Sequence, residues 1–71
     1  MLGADILITV NGDLKAIPPN FSVSDLLDLL SLKNQRLAVE LNGEILSRAQ
    51  FSCQILNVDD RLELVQAIGG G

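Results

Sequence analysis

Apolar and polar residues alternate in short runs along this chain, and each run predicts one element. The β-branched run Ile6–Val10 predicts a strand, and the Asn11-Gly12 pair after it is a strong signal for a tight hairpin turn. Asp13–Ile17 then predicts the second strand, because the two prolines that follow remove backbone donors and end it. The chain is therefore expected to open with a β-hairpin.

A short amphipathic helix is predicted after the prolines. Ser22 and Asp25 have the spacing of a capping box, in which each side chain accepts a hydrogen bond from the other residue's backbone N–H. Phe21 precedes the cap and is expected to pack against Leu26. The helix is expected to end near Ser31–Asn34. Its apolar face is formed by Val23, Leu26, Leu27 and Leu30.

A second hairpin and a last strand are predicted in the remaining half. Arg36–Leu46 contains two alternating runs joined by an Asn-Gly turn, and Arg61–Gln66 alternates again. The stretch between them is irregular, and we expect a short helical turn there that directs Phe51 and Ile55 toward the core. Asp59-Asp60 is typical of a turn rather than of a metal site, because adjacent carboxylates point apart.

The order hairpin, helix, hairpin, connection, strand predicts an α+β fold. It is the order of the β-grasp (ubiquitin-like) topology, with a mixed sheet of four to five strands and one main helix on one face. The last strand then lies parallel to the first at the sheet centre. We expect one domain over residues 1–68 and a flexible glycine tail over residues 69–71.

The alternation also predicts which strand residues face the helix. These are Ile6, Ile8, Val10, Leu37, Val39, Leu62 and Leu64. Leu7, Ala38 and Val65 are then expected on the open face of the sheet, where an apolar cluster is a candidate docking surface together with Ile68 at the base of the tail. The alternative is that they are scattered surface residues, which are common.

Composition excludes several kinds of site. The 71 residues include no histidine and one cysteine, so the chain cannot build a usual zinc site or a histidine-dependent catalytic triad. A net charge of −4 argues against nucleic acid as a partner and favours a basic protein surface. The apolar runs are too short to span a membrane and the first residues do not resemble a secretory signal, so a cytoplasmic protein is expected.

Two other residues receive structural interpretations. Cys53 is interpreted as a small packing residue rather than an accessory thiol. Arg48 is expected to hold a backbone carbonyl rather than a partner.

The three final residues, Gly69, Gly70 and Gly71, are the most informative segment. Without side chains, such a segment can pass through a channel too narrow for a Cβ atom and bring the Gly71 carboxylate to a catalytic centre on another protein. A carboxylate must first be activated, as in an acyl adenylate formed with ATP. The alternative is a frayed terminus without a role.

Several segments together match one known pattern. They are the Asn-Gly hairpin turns, the helix start Ser22–Leu27, the segment Ala38–Ile45 with Arg48 following, and the ending Leu62–Gly71. The ending, directly after a strand, is the specific part. On these segments the whole chain resembles the ThiS family of sulfur carrier proteins of thiamin biosynthesis.

The resemblance implies that the chain is a protein co-substrate and not an enzyme. A ubiquitin-activating-type adenylyltransferase would adenylate the Gly71 carboxylate with ATP and Mg²⁺. Sulfur from a cysteine desulfurase route would then give a thiocarboxylate, which thiazole synthase would use to build the thiazole ring. Gly70 is the other half of the family's Gly-Gly pair, and Gly69 extends the reach. No stably bound cofactor or metal is expected.

Other functions stay open at this point. The small subunit of molybdopterin synthase shares the fold and the Gly-Gly end, although its proline-containing segment is absent at Gln66–Ile68. A ubiquitin-like modifier would form isopeptide bonds to lysines, and a β-grasp binding module would not need the glycines. An independent enzyme has the least support.

Overall fold

The predicted elements are present, in the predicted order. The computed structural model describes residues 4–66. The elements are β1 (Ile6–Val10), β2 (Asp13–Ile17), α1 (Val23–Leu29), β3 (Leu37–Leu41), β4 (Glu44–Leu46), a 3₁₀ turn (Arg48–Gln50) and β5 (Arg61–Gln66). Both hairpins turn through left-handed Asn-Gly pairs, with φ of 51° and 87° at Asn11 and Gly12 and 53° and 89° at Asn42 and Gly43. These values are those of type I′ turns, which match the twist of the strands.

The sheet has the β-grasp topology. Its strand order is β2-β1-β5-β3-β4, in which β5 is parallel to β1 and antiparallel to β3. The predicted central position of the last strand is therefore confirmed, and the sheet has five strands. β5 thereby pairs with one strand of each hairpin.

One face of the sheet packs against α1 and forms the core, as the alternation predicts. Every strand position expected on that face is buried or packs against the buried cluster. The fully or nearly buried side chains are Ile8, Ile17, Val23, Leu26, Leu27, Val39, Leu56 and Leu62. Among residues 4–66, no helix is long and apolar enough to cross a membrane.

The capping box at the start of α1 is confirmed, but the helix ends earlier than predicted. The Asp25 N–H donates to Ser22 Oγ, and the Ser22 N–H donates to Asp25 Oδ2, each at 3.0 Å. At the other end Ser31 has a φ of 61°. The Ser31 and Leu32 N–H groups donate back to the carbonyls of Asp28 and Leu27, at 3.0 and 2.7 Å. This Schellman arrangement closes the helix after seven residues.

Two predictions for the connection before β5 are wrong. Ile55 is 41% exposed, and its neighbour Leu56 is the buried residue at 1%. The reason is a bridge between Ser22 and Ile55, beside which the Leu56 N–H donates to the Phe21 carbonyl at 2.8 Å. Cys53 is exposed, so it is not a packing residue. Phe51 does pack against the core, as expected.

Candidate functional site

The described part of the candidate site is the end of β5. Gly69, Gly70, Gly71 and Ile68 lie outside the described residues, as does residue 67. We call Leu64–Gln66 the tail root, because these are the last described residues before the glycines. The contacts of the tail root determine where the following segment starts.

On one side the tail root pairs with β3. Ala38 lies opposite Val65, and Leu37 lies opposite Gln66. On the other side the paired positions of β1 and β5 end at Val10 and Leu62. The residues of β5 after Leu62 therefore meet the β1–β2 turn instead of a strand.

The side chain of Asn11 continues the missing ladder. The Leu64 N–H donates to Asn11 Oδ1 at 2.7 Å, and Asn11 Nδ2 donates to the Leu64 carbonyl at 3.3 Å. The Asn11 N–H also donates to the Leu62 carbonyl at 2.9 Å. An asparagine amide has the same donor and acceptor as a peptide group, and asparagine tolerates the left-handed turn conformation. One residue therefore forms the turn and also pairs with the tail root.

A second set of hydrogen bonds reaches Gln66 from the loop before β3. Gln66 Nε2 donates to Gln35 Oε1 at 3.0 Å. Arg48 Nη2 donates to the Gln35 carbonyl at 3.3 Å, which confirms that Arg48 holds a backbone carbonyl. The loop, the 3₁₀ turn and the tail root are thereby linked.

A groove lies beside the tail root on the helix side of the sheet. It has a volume of about 480 Å³, and residues lining it include Val10, Asn11, Leu30, Leu32, Leu64 and Gln66. Aliphatic side chains alternate in its lining with polar and charged ones, among them Asp13 and Lys15. Within the described part of the chain, no group of three metal-ligating side chains occurs. The tail root and the groove beside it can present the end of a strand to a partner.

The open face brings together two of the three predicted docking residues that the structure describes. Ala38 and Val65 are direct cross-strand partners, and Val65 is 56% exposed. Leu7 is 49% exposed but lies far from Val65. The parallel strands β1 and β5 pair at Thr9 and Arg61. Leu7 precedes this pair by two residues, and Val65 follows it by four. At about 3.3 Å per residue, Leu7 and Val65 are separated by roughly 20 Å along the strands.

Sequence reasoning missed Asn11 and Gln35 as parts of the site. The Asn-Gly pair was visible as a turn signal, but nothing local indicates that its side chain reaches a residue 53 positions away. Gln35 lies in a loop without a pattern of its own. Both depend on how the hairpins are arranged around β5.

Comparisons with known proteins agree with this architecture. A sequence model described as the ThiS family matches residues 8–71. The crystal structure of the thiamine biosynthesis protein ThiS from Geobacter metallireducens is similar with a TM-score of 0.80 and 32% identity, over 93% of this chain and 100% of that chain. An uncharacterized protein, ycf40, of Pyropia yezoensis is 35% identical over 71 residues, which cover 100% of both chains.

A third kind of relative is much longer than this chain. A thiazole synthase of Paramagnetospirillum magneticum is 33% identical over 64 residues, which make up 90% of this chain and 20% of that protein. The similarity is therefore confined to one fifth of the thiazole synthase.

Proposed function

The chain belongs to the ThiS family, and we propose that it is a sulfur carrier for formation of the thiazole of thiamin, with Gly71 as the sulfur-bearing residue. The observation that carries the proposal is the family match, which runs through the glycines to residue 71. The fold agrees with a carrier, since the described end of the last strand is anchored by its pairing with β3. The protein would be a co-substrate rather than an enzyme.

The proposed chemistry occurs at the Gly71 carboxylate. A carboxylate oxygen attacks the α-phosphorus of ATP in a partner adenylyltransferase, with Mg²⁺ on the phosphates, and pyrophosphate leaves. The terminal sulfur of a persulfide from a cysteine desulfurase route then attacks the acyl carbon, and AMP leaves. A thiol reduces the resulting acyl disulfide by attack on its other sulfur, which releases a disulfide. The product is a glycyl thiocarboxylate, whose sulfur is the nucleophile that thiazole synthase would use.

The length of the segment after the tail root suits this chemistry. Five residues follow Gln66 in the sequence, and five extended residues span at most roughly 18 Å. Gly69 and Gly70 leave no side chain to obstruct the passage.

Thiazole synthase is the partner with independent support. A protein of that name contains a segment of 64 residues similar to this chain. A carrier and an enzyme joined in one polypeptide are held at a high effective concentration, which favours pairs that act on each other. We infer that this chain delivers sulfur to a thiazole synthase.

The proposed docking surface is the open face of the sheet, from Leu7 to Ala38 and Val65, together with Ile68 outside the described residues. A standard interface covers about 800 Å² on each partner, which is wide enough to include both ends of this face. Glu40 and Glu63 lie between those ends, directly opposite each other. Two adjacent carboxylates and a net charge of −4 favour a basic partner surface.

The intact mass of the protein tests the proposal. The chain ending at Gly71 is incubated with ATP, Mg²⁺, a sulfur source and the adenylyltransferase of the same organism, after that enzyme is shown to be active on its own carrier. We expect a mass increase equal to the exchange of one oxygen for sulfur. A variant lacking Gly70 and Gly71 is the control and should not change.

Other outcomes would replace the proposal. A conjugate to a lysine of another protein would indicate a ubiquitin-like modifier. Sulfur transfer to molybdopterin synthase instead of thiazole synthase would indicate the other carrier class. An unchanged mass would leave a β-grasp binding module.

A further inference from the structure

The two hairpin turns use the same dipeptide, and both asparagine side chains bind β5. Asn42 binds its beginning, where the Arg61 N–H donates to Asn42 Oδ1 at 2.9 Å and Asn42 Nδ2 donates to Asp60 Oδ1 at 3.0 Å. Asn11 binds its other end, at both backbone groups of Leu64. The last strand is therefore held by one turn asparagine near each end.

Asn11 contacts the end of β5 that leads into the glycine segment. Leu64 is two residues before Gln66 and seven before Gly71. Because β1 pairs with β5 only as far as Leu62, removal of the Asn11 amide would leave the tail root held from one side. That side provides the pairing with β3 and the Gln66–Gln35 hydrogen bond. A strand end held along one edge frays more readily than one held along both.

We propose that Asn11 is a positioning residue for the sulfur-bearing terminus. By pairing with Leu64, it fixes the origin and direction of the tail root, from which the short segment to Gly71 starts. This inference rests on the proposed carrier function. It assigns to the first hairpin turn a role in the reaction that is separate from its role in chain reversal.

The expected consequence is a loss of productive orientation rather than of binding. With a loosened root, the Gly71 carboxylate occupies the activating site less often, although the open face still docks. We expect the kcat of adenylation to fall by roughly tenfold, because the root residues must then be ordered in each productive complex. KM rises when a variant loses interactions that are equally strong in the ground and transition states. Docking through the open face is such an interaction and remains, so the KM for the carrier should change by less than about twofold.

The test compares two matched variants, Asn11→Gly and Asn42→Gly. Glycine accepts the left-handed conformation of either turn. Asn11→Gly removes two side-chain hydrogen bonds to Leu64, and Asn42→Gly removes two to Asp60 and Arg61. AMP formation is measured with the adenylyltransferase of the same organism, and thermal unfolding is recorded for both. Amide hydrogen exchange at Leu64 reports the contact directly.

The expected result is a drop in kcat and faster exchange at Leu64 in N11G, with N42G close to the unsubstituted protein in kcat. The proposal would be overturned if the two variants had equal kcat. It would also be overturned if the loss of kcat in each variant were proportional to its loss of thermal stability. If the unsubstituted protein itself is not adenylated, the carrier function fails. Unchanged Leu64 exchange in N11G would overturn the positioning inference alone.

Discussion

Glu40 and Glu63 lie directly opposite each other in the ladder between β3 and β5, on the face of the sheet that α1 leaves open. Glu63 is exposed and Glu40 is half-buried. Like charges at opposed positions of an antiparallel pair destabilise a sheet. The free protein therefore carries two opposed carboxylates at the centre of its proposed docking surface, and Arg61 lines the same hollow. A cation of a basic partner would add to their neutralisation.

Removal of one charge of this pair should stabilise the free protein and weaken its binding to the adenylyltransferase. We expect Glu63→Gln to raise the free energy of unfolding by about 0.2–1 kcal/mol, because the repulsion is lost. Affinity for the adenylyltransferase should fall, and the difference should shrink as salt is added. Urea unfolding and titration calorimetry measure the two effects. Glu44→Gln, opposite Leu41 in β4, is the control and should change neither.

Charge inserted into the apolar ends of the open face should weaken docking. Val65→Asp and Leu7→Asp are each expected to lower affinity for thiazole synthase severalfold without unfolding the protein, since both side chains are about half exposed. Leu29→Asp is the matched control, because Leu29 is 53% exposed on α1, in the other layer. Equal binding by all three variants would contradict docking through the open face.

The capping box should account for a measurable part of the stability. Ser22 is 5% exposed, and Ser22→Ala removes the acceptor for the Asp25 N–H. We expect the free energy of unfolding to fall by about 1 kcal/mol. Ser52→Ala is the control, since Ser52 is exposed and is not a helix cap. A loss in the control as large as that in Ser22→Ala would argue against the cap as the cause.

The exposed thiol should be reactive but dispensable. Iodoacetamide is expected to alkylate Cys53 in the folded protein, because the side chain is exposed. Cys53→Ser should accept sulfur at Gly71 at the same rate, as judged by intact mass. A loss of thiocarboxylate formation in that variant would instead make Cys53 an accessory thiol of the transfer.

Features that depend on neighbouring residues were predictable from the sequence. The Asn-Gly turns, the Ser22 capping box and the alternation of Leu62 and Leu64 all rest on interactions within a few positions. Their order along the chain was sufficient to predict the β-grasp topology. The glycine segment, too, is a property of the sequence alone.

Features that depend on distant residues were decided by the tertiary structure. The bridge between Ser22 and Ile55 turns Leu56 inward and Ile55 outward, whereas Ile55 was expected to face the core. The pairing of Asn11 with Leu64 spans 53 positions, and it forms because β5 extends beyond the end of β1. Local patterns determine which elements form, but a hydrogen bond between two elements exists only after packing has set their register and relative lengths.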